Sequence, residues 1–261
     1  MQAYRGLPIL TNQSGAPARL VAMWPLDHEG SVGEYAALAH TAIDEILAAG
    51  RTPVVVGGTG LYLRAALAEL RLPAPSDERG RWEALYDSAG GEAAHERLAE
   101  LDSAAAARVH PNDRRRVVRA LELAAAGESL APDEDRLWGG ETRHPTVVFG
   151  LEVPKEELER RIEARTRAMV AAGVAEEARR ALAGPISETA RKTLGLEEAA
   201  TLPPEEAQEA IVARTRRYAA YQRKWMRRIP GLVSVDAARP PGEVADDILE
   251  VARGRIRVGG G

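Results

Sequence analysis

A chain of 261 residues is long enough for one large domain, or a core with an insertion, and can bury a sizeable hydrophobic core. Charged residues make up 28% and the net charge is −4, so the molecule as a whole is no general polyanion binder, and any nucleic-acid surface must be a local patch. With no cysteine, disulfides, thiol nucleophiles and zinc–thiolate sites are excluded.

No apolar run reaches the roughly 18–20 residues needed to cross a membrane, and the N-terminus has no signal-peptide pattern. A soluble, cytoplasmic protein is expected. Apart from Lys155, Lys192 and Lys224 every basic side chain other than histidine is arginine. A GC-rich genome is the simplest source of that bias, yet the planar guanidinium also matches phosphate better than an ammonium does.

Glu34 to Ala49, rich in alanine and leucine and stopping at Gly50, predicts a helix. Thr52-Pro53-Val54-Val55-Val56 is a short β-branched run closed by Gly57-Gly58, as expected of a buried parallel strand, and a helix follows it to about residue 70. From Ala74 to Arg143 no strand signal appears; the stretch reads as helical and polar, with breaks at 73–75 and 127–145. Thr146-Val147-Val148-Phe149 is a second predicted strand, and Lys155 to Ala172, stopping at Gly173, a further helix. Leu232-Val233-Ser234-Val235, ending in Asp236, is the third strand, and Gly259-Gly260-Gly261 a frayed tail. Strands alternating with helices predict an α/β fold with a parallel sheet. Its core is expected at 1–70 and 144–261, with a helical insertion at 71–143.

Three stretches could carry chemistry. The first is Gly57-Gly58-Thr59-Gly60, which leads from a strand's carboxyl end into a helix, the edge where open α/β sheets place ligands. Its plain alternative is a strand-to-helix turn with Thr59 as N-cap. The second is His110-Pro111-Asn112-Asp113-Arg114-Arg115-Arg116-Val117-Val118-Arg119, where Arg115, Arg116 and Arg119 fall within one helical turn and repel unless an anion sits against them. A solvated face neutralised by Glu122 is the commoner arrangement. The third, residues 214–228, holds seven basic side chains and no acid, interleaved with Tyr218, Tyr221 and Trp225. Such a stretch suits phosphates and bases, or an amphipathic helix with its aromatics in the core. The five histidines have no ligand-like spacing.

MQAYRG at the start, VVVGGTGLYLRA at 54–65 and HPNDRRRVVRALEL at 110–123 resemble the tRNA dimethylallyltransferases (isopentenyltransferases). The likeness runs in consistent order from Met1 to about Asp236. It continues through Thr215, Arg216, Gln222, Trp225 and Arg227, but Ala220-Tyr221 stands where Lys-Arg is usual.

The resemblance implies a P-loop kinase-like core with a helical insertion. It also implies transfer of a dimethylallyl group from its diphosphate to N6 of the adenosine 3′ of the anticodon, in tRNAs reading codons that begin with U. The base must leave its stack to react. Thr59 is matched to a catalytic-site threonine. Met1 and Gln2 belong to the stretch that reads the flipped adenine, and Arg79, Arg81, Arg115, Arg116, Val117, Val118 and Arg119 match tRNA-binding positions. Arg216 and Arg217 match diphosphate-binding ones.

Mg2+ is the implied cofactor, with no metal ligand in the chain itself; tRNA and dimethylallyl diphosphate are the implied partners, with no membrane, and the protein is expected to be a monomer. No stretch reads Gly-x-x-x-x-Gly-Lys-[Ser/Thr], and the family's general-base aspartate would precede Met1. The expected reading is therefore a dimethylallyltransferase whose first strand and P-loop lie upstream of Met1, the 261 residues alone being inactive in transfer. The alternatives are a catalytically dead tRNA-binding protein, a chain that folds poorly through exposed strand edges, and, least supported, a nucleotide kinase, which needs the same absent P-loop.

Overall fold

The structure, a computed structural model, describes residues 2–13, 15, 17–69, 78–130 and 141–258. The chain divides into two compact units, Met1–Glu69 with Gly140–Gly261, and Leu70–Gly139. In chain order, the first unit carries α1 (Val32–Ala48) and α2 (Gly60–Leu67), and the second carries α3 (Arg79–Leu101), α4 (Ser103–Ala106) and α5 (Arg114–Ala125). The first unit resumes with β1 (Phe149–Glu152), α6 (Lys155–Ala171), α7 (Val174–Ala183), α8 (Glu188–Arg191), α9 (Leu196–Thr201), α10 (Pro204–Met226), β2 (Val233–Asp236) and α11 (Pro241–Val258).

Local chemistry accounts for most element ends. Ser31 caps α1 by accepting a hydrogen bond from the Glu34 amide at 3.1 Å, and α1 buries Ala36, Ala39 and Ile43. Between α6 and α7, Gly173 sits at φ +89°, a left-handed conformation that glycine adopts without a Cβ clash. Pro204 opens α10, whose first turn carries Glu205 and Glu206 and whose last turn carries Arg223 and Lys224, each sign placed to suit the helix dipole.

In the first unit, Leu7, Leu10, Met169, Val174, Ala178, Leu196 and Ile211 share a core. The N-terminal loop is tied to it by Glu177 of α7. Glu177 is only 4% exposed, and its carboxylate accepts the backbone N–H groups of Ile9 and Leu10 at 2.9 and 2.8 Å. A parallel bridge joins Tyr4 to Trp24, and the Tyr4 hydroxyl donates to the His28 carbonyl. Where the chain re-enters this unit, Arg143 donates to both oxygens of Asp44 at 3.2 and 3.0 Å and to Glu69 at 2.7 Å, with His144 2.9 Å from Asp44.

The second unit packs Trp82, Leu98, Val109, Val117, Val118 and Leu121 of α3, α5 and the intervening turn. Its outer seam is closed by a two-pronged pair of Arg114 with Asp87, at 2.7 and 2.6 Å.

The sheet is parallel, β1 beside β2, in register from Phe149 opposite Val233 to Glu152 opposite Asp236. The run 52–56 does not join it, which corrects the expectation of a strand there. Among the described residues it has no ladder partner, and Val54 and Val56 stand 82% and 87% exposed. β-branched side chains favour an extended chain, but a strand also needs a neighbour to take its N–H and C=O groups.

Candidate functional site

The turn Gly57–Gly60 is held from the side by α10. Thr59 occupies the N-cap position of α2, yet its side chain makes no capping hydrogen bond. Its hydroxyl instead lies 2.8 Å from the Tyr218 hydroxyl. Tyr218 donates to the Gly58 carbonyl at 3.1 Å, and Gln222, one helical turn further along α10, donates to the same carbonyl at 2.8 Å. A phenol has one hydrogen. With that hydrogen on the Gly58 carbonyl, the Tyr218 oxygen accepts from Thr59, and the Thr59 oxygen is left to accept from whatever approaches the turn. A Cβ at position 58 would lie 2.2 Å from Gln222 Nε2, so a larger residue there would displace this amide from the Gly58 carbonyl.

Gln2 shows the same polarity. Its amide nitrogen donates to the carbonyls of Thr11 and Asn12 at 2.9 and 3.0 Å, so both its hydrogens are committed to the loop backbone. Among the described residues its Oε1 takes no hydrogen bond. Thr59 and Gln2 thus both present acceptor oxygens, which suit an N–H donor such as an amine. Met1, expected beside Gln2, lies outside the described residues.

The aromatics of α10 separate into three environments. Trp225 is buried, Tyr218 is half-buried and hydrogen-bonded to the turn, and Tyr221 is 60% exposed. Arg216 pairs with Glu163 at 2.7 Å, whereas Arg217 is exposed and has no ion pair among the described residues.

A family model described as IPP transferase matches residues 2–229. The chain belongs to the IPP transferase family. A tRNA dimethylallyltransferase of Kineococcus radiotolerans is 38% identical, over 97% of this chain and 82% of the relative. One of Anaeromyxobacter dehalogenans is 40% identical, over 94% and 86%. Among solved structures, the tRNA isopentenylpyrophosphate transferase of Bacillus halodurans superposes with a TM-score of 0.66 at 29% identity, covering 96% of this chain and 84% of that one. A eukaryotic dimethylallyltransferase acting on tRNA, at 22% identity and a TM-score of 0.71, agrees in fold.

In this IPP transferase the arginine-rich stretch opens α5. Asp113 caps the helix by accepting from the Arg116 amide at 3.2 Å. Arg115 and Arg116 are exposed, without ion pairs among the described residues. Arg119 is engaged instead, donating at 2.8 Å to Glu122, whose carboxylate is buried. Val117 and Val118, expected among the tRNA-binding positions, are 0% and 2% exposed. Their side chains fill the core of the second unit, which an amphipathic helix requires of that face. On α3, Arg79 pairs with Glu83 at 3.0 Å, and Arg81 pairs with Glu78 at 3.5 Å while lying 4.9 Å over the Trp82 ring.

Three residues of this geometry escape local sequence reading. Glu177 looks like one more helix-surface acid, and Tyr218 and Gln222 like members of a basic stripe. Their partners lie about 160 residues away. Only the near-invariant i, i+4 spacing of helical neighbours marks Tyr218 and Gln222 as sharing a face.

Proposed function

We propose that the chain is a tRNA dimethylallyltransferase. The dimethylallyl group passes from its diphosphate to N6 of the adenosine 3′ of the anticodon, in tRNAs reading codons that begin with U. The observation that carries this reading is the hydrogen-bond chain from Thr59 through Tyr218 to the Gly58 carbonyl. An acceptor at Thr59 can hold one N–H of an exocyclic amine with the nitrogen lone pair facing the allylic carbon. A C–N bond then forms, the C–O bond to diphosphate breaks, and the amine proton must go to a base. Thr59 orients the amine; as a neutral hydroxyl it is too weak a base to take that proton.

Support for the RNA comes from the exposed Arg115 and Arg116 and from the names of the relatives. We assign the diphosphate to Arg217, which is exposed, before Arg216, which is held by Glu163. Among the described residues no group of three or more His, Asp or Glu could hold a metal ion. Mg2+ bound with the diphosphate would offset the charge that develops on this leaving group. No described helix is long and apolar enough to cross a membrane, and a monomer acting in the cytoplasm fits this reading.

The test incubates unmodified tRNA, dimethylallyl diphosphate and Mg2+ with the 261-residue chain, and in parallel with the chain translated from the in-frame codons upstream of Met1. Nucleosides are examined by mass spectrometry for prenylated adenosine, and tRNA binding by electrophoretic shift. Binding by both, with prenylation by the longer chain, supports the reading. Binding without prenylation by either chain establishes the second reading, a tRNA-binding protein without transfer, which the exposed cations alone would serve. Prenylation-free chains that also leave tRNA unshifted sink both.

A further inference from the structure

Among the described residues two carboxylates are buried, those of Glu122 and Glu177. Glu122 lies against Arg119. Glu177 has no ion pair among the described residues, and its two oxygens face the amides of Ile9 and Leu10 instead. A buried charge without a counter-ion costs folding free energy, and what this one orders is a single turn of chain.

That turn spans residues 7–13. The Thr11 amide donates to the Leu7 carbonyl at 3.0 Å, the Asn12 amide to Ile9 at 3.2 Å and the Gln13 amide to Pro8 at 2.9 Å. Asn12 ends it at φ +52°, a left-handed conformation that asparagine tolerates better than most side chains. A lone helical turn has unpaired amides at its start and unpaired carbonyls at its end. Glu177 takes the amides. Gln2 takes the carbonyls, those of Thr11 and Asn12, at 2.9 and 3.0 Å. Gln13 braces the arrangement, its side-chain amide donating to the carbonyls of Tyr4 and Gln2 at 2.7 and 3.3 Å.

The two carbonyls decide which end of the exposed Gln2 amide faces outward. Reversing that amide would set its oxygen against two carbonyl oxygens and forfeit both hydrogen bonds. With the turn closed, Gln2 offers an acceptor. With the turn loosened, the amide rotates and offers a donor or an acceptor alike. An acceptor suits the exocyclic N–H of adenine, whereas a donor suits a base with a carbonyl oxygen at that position.

We propose that Glu177 is a positioning residue for base selection. By holding the turn it keeps Gln2 Oε1 outward, and so favours adenosine over inosine, which carries an oxygen in place of the amine. That adenosine is the target rests on the function proposed above. Glu177 touches no substrate; it acts through the turn and Gln2.

The experiment measures binding of the full chain to two tRNAs that differ only at the target nucleotide, which is adenosine in one and inosine in the other. The parent prefers adenosine about five- to tenfold, as expected for one hydrogen bond made against one opposed. Gln2→Ala lowers the preference to what Thr59 alone sustains. Glu177→Gln, which leaves the turn one acceptor oxygen in place of two, narrows the preference at least about twofold, and Glu177→Ala narrows it further. In a Gln2→Ala background neither substitution at Glu177 moves the preference, because the group it positions is gone. Glu177→Gln, the milder change, carries the comparison where Glu177→Ala fails to fold at the assay temperature.

A merely structural role would weaken both tRNAs by one factor and leave their ratio alone, and that result overturns the proposal. So does a parent that binds both tRNAs equally, and so does an effect of Glu177→Gln on the ratio that persists without Gln2. Prenylated adenosine in the assay above, together with a ratio that Glu177→Gln leaves unmoved, sinks the positioning role alone. A ratio that narrows as expected, with no prenylation by any form, sinks the transfer reading alone.

Discussion

Thr59 and Tyr218 are 159 residues apart in sequence, and their hydroxyls lie 2.8 Å apart across the Gly57–Gly60 turn. Tyr218 therefore sets which way the Thr59 hydrogen points. Removing its hydroxyl in Tyr218→Phe is expected to cost about 0.5–1.5 kcal/mol of stability, the usual range for one hydrogen bond. In a Thr59→Ala background the same substitution costs less, because part of what it removes is already gone. Urea unfolding of the two single variants and the double variant measures the coupling. Strict additivity would show that the two hydroxyls act independently.

Glu177→Ala leaves the part-buried N–H of Ile9 and the buried N–H of Leu10 without their acceptor. A loss of about 2–4 kcal/mol is expected, since hydrogen bonds to a charged group are the strong ones and orphaned donors add their desolvation. Glu177→Gln keeps one acceptor oxygen and should lose less. Denaturant midpoints give the order, and hydrogen exchange at the Ile9 and Leu10 amides locates the effect.

The Asp44 carboxyl is held below its ordinary range, first by hydrogen bonds from Arg143 and then by one from His144, against a smaller opposing desolvation. A carboxylate whose folded pKa is depressed contributes stability above its unfolded pKa and loses it as the pH falls through the folded one. Asp44→Asn is thus expected to be less stable than the parent at neutral pH, with the gap closing below the ordinary carboxylate range. Thermal unfolding from neutral pH down to about pH 2 reads the difference. A gap that stays constant over that interval would remove Asp44 as the titrating group.

Val54 and Val56 leave two β-branched side chains and an unladdered backbone facing solvent. Such a segment is a template for pairing with another chain. The 261-residue protein is expected to self-associate as its concentration rises, and Val54→Thr with Val56→Lys should reduce this without lowering the melting temperature. Light scattering and gel filtration over a concentration series give the comparison. Scattering that is the same for parent and variant would clear this segment.

The helices were legible because their signals are local. The predicted stop at Gly50 and the predicted helix from Lys155 fall within a residue or two of α1 and α6. The strands were less so. The run 146–149 meets β1 only at Phe149, although the Val148 carbonyl accepts from the Val233 amide at 2.8 Å, and 52–56 forms no strand at all. Both depend on a neighbour that hydropathy cannot name. At the candidate site, Thr59 could be found from its glycine-rich turn, but its hydroxyl's partner could not. The capping role that composition favours is replaced by a contact set by the docking of α10. Val117 and Val118, by contrast, lie with their side chains in the core of the second unit, a placement that the motif alone does not reveal.

The grip of Glu177 on the N-terminal loop also has a schedule. Ile9 is made 168 residues before its carboxylate partner. At translation rates of about 5–20 residues per second, the loop bearing Gln2 waits roughly 8 to 34 s for its anchor. During that interval its amides have only water and each other. The loop that bears Gln2 thus gains its carboxylate anchor only once α7 has been made, and a ribosome stalled before α7 would display the loop without it.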